Sequence, residues 1–134
     1  MTGGAATGRR RRLALVSLLA CGMVGCGDAS SPTTCSARSV GAIRVSGGLN
    51  PAIAWAAECE AQVLAVYDPA SADPVWHLAA DTRRIPKPVT YGTVPPGVRV
   101  LRTGAALRAG TSYAVYVAIL VGTDTLASVG NFTP

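Results

Sequence analysis

Hydrophobic and polar positions change rhythm along this chain. Leu13 to Gly25 is a run of 13 residues without a charge, residues 27–38 are small and polar, and from Ala42 onward apolar residues recur at period two in short bursts. Period two places successive side chains on opposite faces of a strand, and Gly, Pro and Asn clusters between bursts mark turns. The pattern predicts strand A at Ala42–Ser46, strand B at Ala52–Ala56 with Ile53 and Trp55 inward, strand C at Gln62–Tyr67 and a further strand at Val75–Leu78. Strand E follows at 98–102, F at Tyr113–Val121 and G at Leu126–Phe132. Ile85-Pro86-Lys87-Pro88-Val89 carries two prolines at i and i+2, whose missing N–H groups lie on one side, as on an edge strand or polyproline segment. Strand F is the longest uninterrupted element. Its four β-branched residues and flanking Gly110 and Gly122 favour a strand over a helix.

These elements predict an all-β fold: a single antiparallel β-sandwich of about seven strands. Some 100 residues remain after the first 26, enough for one small core. The corresponding division is a leader at 1–25, a flexible tether at 26–38 and the sandwich at 39–134.

Leu107, Gly110, Thr111, Tyr113, Val115 and Val117 follow the pattern Leu, small residue, Gly, Thr, any residue, Tyr, then alternating apolar residues. That stretch resembles the E–F corner and strand F of fibronectin type III domains, which also place a Trp where Trp55 stands. The resemblance, to a fibronectin type III or immunoglobulin-like module, implies that Leu107, Gly110, Tyr113 and Trp55 are fold-defining. It also implies a tyrosine corner, in which the Tyr113 hydroxyl bonds back to upstream backbone. It implies nothing about function.

The leader changes how the charge is read. The chain carries +5, but four of its twelve basic residues are Arg9–Arg12; without the leader there are eight basic against seven acidic side chains. The basic balance belongs mostly to the leader, so nucleic-acid binding is not expected. Arginines followed by an apolar run too short to span a membrane read as a secretory signal. Met23-Val24-Gly25-Cys26 resembles a bacterial lipobox. The resemblance implies that Cys26 is acylated, becomes the first residue of the mature protein and anchors it to the membrane at the periplasmic or cell-surface side. Leu18-Leu19-Ala20-Cys21 is a competing lipobox with a shorter apolar run before it. The arginine run admits either general secretion or twin-arginine export.

With Cys21 lost and Cys26 acylated, Cys35 and Cys59 remain for a disulfide, which an exported compartment permits. Strand A starts, and strand B ends, at one end of the sandwich, so the two cysteines belong near each other. Closing the loop would contribute roughly 3.5 kcal/mol in the chain-entropy picture.

Candidate chemistry is sparse. His77 is the one histidine, and no nucleophile–base motif, metal-ligand spacing or phosphate loop occurs. Asp68 and Asp73 flank a loop that reads as a hairpin rather than a calcium site. No catalytic residue, metal, cofactor or small-molecule ligand is assigned, and the protein is not expected to be an enzyme. What stands out is apolarity on both faces of strands C and F. Leu64 and Val66 with Tyr116 and Leu120 are the expected interaction face, unless chain from residues 68–97 covers it. The expected function is a binding or structural module at the cell envelope with a protein partner there; the alternative is an accessory subunit of an envelope enzyme or transport complex.

Overall fold

Period-two apolar segments cannot bury one face alone, and here they do so by stacking two antiparallel sheets. The computed structural model of the protein describes residues 35–134; the leader, Cys21, Cys26 and tether residues 26–34 lie outside them. The strands are β1 (Ile43–Val45), β2 (Ala52–Trp55), β3 (Val63–Tyr67), β4 (Pro74–Ala80), β5 (Val89–Thr90), β6 (Val98–Arg102), β7 (Tyr113–Val121) and β8 (Asp124–Phe132). A three-stranded sheet has the order β1-β2-β5 and a five-stranded sheet the order β6-β4-β3-β7-β8. Among the described residues there is no helix, so none is long and apolar enough to cross a membrane. The fold is an all-β sandwich.

The core fills the space between the sheets. Ile53 and Trp55 enter from β2, Leu64 and Val66 from β3, Trp76 and Leu78 from β4, and Tyr113, Val115, Val117 and Ile119 from β7. Each of these side chains keeps 3% or less of its surface exposed, and full burial of an aliphatic side chain stabilises by about 1.5–3 kcal/mol. β3 and β7 set the phase of the large sheet. Leu64 lies opposite Val117 and Val66 opposite Val115, so all four point to the same, inner face.

Two placements differ from the sequence expectation. Residues 98–102, expected as strand E, pair with β4 at the edge of the large sheet. The place beside β2 is taken instead by β5, through Ala52 with Thr90 and Ile53 with Val89. The Pro86 and Pro88 segment thus feeds an edge strand, and Ile85, just before it, bridges to Ala61. The second difference is at the domain start. Cys35 and Ala37 pack against the core and Val40 is buried, so packing begins before Ser39.

Gly130 explains how β1 closes over β8. A Cβ at that position would lie 2.9 Å from Ile43 Cβ, closer than real side-chain contacts allow. The absent side chain is the space that Ile43 occupies.

Candidate functional site

Of the four expected fold-defining residues, Leu107, Gly110 and Tyr113 meet at one corner, and Trp55 lies at the other end. Leu107 is buried, and Gly110 has φ +74°, a left-handed conformation that glycine adopts without strain. The turn brings the Arg108 amide to the Tyr113 hydroxyl, to which it donates at 2.9 Å. The Tyr113 ring stacks on Phe132 of β8, with centroids 5.7 Å apart. The Arg108 guanidinium leaves the corner to pair with the Asp68 carboxylate. Asp68 also accepts from the Ala70 amide at 2.9 Å, which fixes the β3–β4 turn. Asp73 lies 3.8 Å from Arg102. Both loop aspartates therefore face arginines. Among the described residues no three His, Cys, Asp or Glu side chains come together as metal ligands would.

A second cluster closes the other end. Cys35 and Cys59 form a disulfide with Cα atoms 5.4 Å apart. The Trp55 indole donates to the Cys59 carbonyl at 2.7 Å, and the Lys87 ammonium donates to the carbonyls of Trp55, at 3.1 Å, and Ala57. The β2–β3 loop is thus held by a covalent bond, an indole and a cation. Nothing in the sequence singled out Lys87, a lone cation between prolines whose partners are backbone atoms some 30 positions away.

The expected interaction face needs correction. Leu64 and Val66 are fully buried between the sheets and belong to the core. Tyr116 and Leu120 do lie on the outer face of the large sheet, partly exposed. Their companions are the other set of β3. Ala65 is opposite Tyr116, Val63 opposite Ala118, and Tyr67 opposite Ala114. β4 extends the surface through Ala79 beside Val63 and His77 beside Ala65, and β8 through Val129 beside Tyr116. Val129 is 62% exposed, the most exposed large hydrophobic residue described. Ala65 and Ala118 are themselves covered, since larger neighbours flank them. Burial holds the His77 imidazole below its ordinary pKa. Arg99 and Arg102 of β6 border this face. Residues 85–91 do not cover it: Ile85, Val89 and Tyr91 are core residues.

Apart from this face, the described surface offers an open hollow of about 360 Å³ at Arg44, Ala54, Trp55 and Ala56. It brings together one charged side chain and no second titratable group. Compared with protein families, with curated proteins and with solved structures, the chain matches none.

Proposed function

We propose that the protein is a lipid-anchored, exported β-sandwich that acts as a binding or structural module at the cell envelope, held to the membrane through Cys26. Its binding surface is the outer face of the five-stranded sheet. One observation carries this reading: Val63, Tyr67, Tyr116, Leu120 and Val129 place apolar side chains where the water-facing side of an antiparallel sheet ordinarily alternates to polar ones. Contiguous apolar patches on small domains mark sites of interaction. The partner is a protein presenting a complementary apolar surface.

Leu120→Asp in the full-length protein tests the reading. Leu120 is partly exposed and pairs with Thr125 near the β7–β8 turn, so the carboxylate reaches water. The expected result is an unchanged thermal midpoint together with loss of the envelope complex on native gels. A variant that unfolds would mean that the face is covered, since a buried unpaired charge costs several kcal/mol. A folded variant that keeps its complex would mean that the partner binds elsewhere.

A further inference from the structure

The four sheet edges of this sandwich are not equivalent. β1 is three residues long with Arg44 at its centre, and β5 is two residues long behind two prolines. β6 carries exposed Arg99 and Arg102 and meets β4 through a register shift at His77/Leu78. Short strands, charges, prolines and bulges are the usual devices that stop an edge from recruiting another strand. β8 has none of them. It is nine residues long, pairs with β7 in unbroken register, and from Thr125 to Phe132 has no charge and no proline.

The hydrogen-bond phase of β8 follows from its turn. Val121 and Asp124 flank a two-residue loop and form a hydrogen-bonded pair, so alternate residues from Asp124 to Phe132 bond to β7. Gln62 accordingly donates to the Ala118 carbonyl, on the side of β7 away from β8. Thr125, Ala127, Val129 and Asn131 therefore direct four N–H and four C=O groups outward, and all four residues are exposed. Among the described residues no strand lies beyond β8.

We propose that the outer edge of β8 pairs antiparallel with β8 of a second copy of this chain, about a two-fold axis through Ser128, to make one continuous ten-stranded sheet. The register carries the choice of partner. With Ser128 on the axis, Thr125 faces the partner's Asn131 and Ala127 faces the partner's Val129. Every outward N–H then meets an outward C=O, so all eight groups of each copy are satisfied. Asp124, the one charge in the strand, falls opposite the partner's Phe132 rather than a second Asp124. A head-to-tail contact would need one of the three blunted edges, whereas the two-fold contact uses the same open edge twice and closes on itself.

Light scattering on the purified full-length protein in detergent tests the pairing. The wild type is expected to change from monomer to dimer as concentration rises. Ala127→Pro removes one outward donor and no β7–β8 hydrogen bond, which an edge strand tolerates. It should keep the wild-type thermal midpoint and weaken dimerisation at least about tenfold. Val129→Lys, at an exposed position, should do the same and decides the matter if Ala127→Pro does not fold. A wild type that stays monomeric throughout overturns the proposal, whatever else occupies the edge. So do folded edge variants that dimerise like the wild type, and so does a dimer broken by Leu120→Asp, which lies on the outer face and not on the β8 edge. None of these results bears on the anchor. Failure of the edge leaves the outer-face reading to its own test.

Discussion

The Tyr113 hydroxyl accepts a hydrogen bond from the Arg108 amide at 2.9 Å, five residues upstream. One phenol thereby fixes the approach to β7 before the strand begins. Because the Tyr113 ring points inward against Phe132, the same contact sets which face of β7, and through the ladder which face of β3, enters the core.

Tyr113→Phe keeps the ring and removes the acceptor from a partly buried amide. A loss of about 1–3 kcal/mol is expected, most of it from the unpaired N–H. Urea unfolding of both proteins measures it. Equal midpoints would mean that the bond contributes nothing.

Ionisation of Tyr91 should limit stability in alkali. Its ring packs against Trp76 with centroids 5.0 Å apart, and its hydroxyl donates to the Ala105 carbonyl at 2.6 Å. Burial, and secondarily the neighbouring Tyr113 phenol, push its pKa up from 10.0 to about 12. The folded state therefore holds this proton more tightly than the unfolded state does. The contribution is complete below the unfolded value of about 10 and is lost as pH rises toward about 12. Thermal midpoints should decline across that window in the wild type. In Tyr91→Phe the part of the decline due to this group should vanish; identical profiles would refute the assignment.

Cys35→Ser should lower stability by roughly 3.5 kcal/mol or somewhat less, the loop-closure term for a separation of 24 residues. The Trp55 indole donates to the Cys59 backbone carbonyl, so that hydrogen bond survives the change. Denaturant midpoints of the wild type with and without reductant, beside the variant, measure the effect. A variant as stable as the oxidised wild type would show that the bridge adds nothing.

Gly130→Ala should cost about 1–3 kcal/mol, because its Cβ overlaps Ile43 and pushes β1 from β8. Ile43→Gly removes the overlapping Cβ, so Gly130→Ala should cost less in that background than in the wild type, recovering part of the loss. Without recovery, the cost arises elsewhere.

The residues made some of this legible and hid the rest for physical reasons. β2, β3 and β7 stood out because β-branched residues at period two have few other uses. The corner stood out because Leu107, Gly110 and Tyr113 form a local pattern spanning seven positions. The disulfide followed from the two cysteines lying at one end of adjacent strands. The phase of β3 did not follow. Leu64 and Val66 are as apolar as Val63, Ala65 and Tyr67, so hydrophobicity alone could not say which set points inward; the ladder to β7 decides it. Nor did the sheet assignment of residues 98–102, since β5 holds its place beside β2 with two residues and contacts distant in sequence. Lys87 left no trace because its partners are carbonyls, which every residue carries.

The proposal that this is an exported, lipid-anchored module is tested most directly by the intact mass of the mature protein extracted from host membranes. The predicted species begins at Cys26 and carries a diacylglyceryl group on its thiol. A mature protein with an unmodified Cys26, or one retaining residues 1–25, would contradict it.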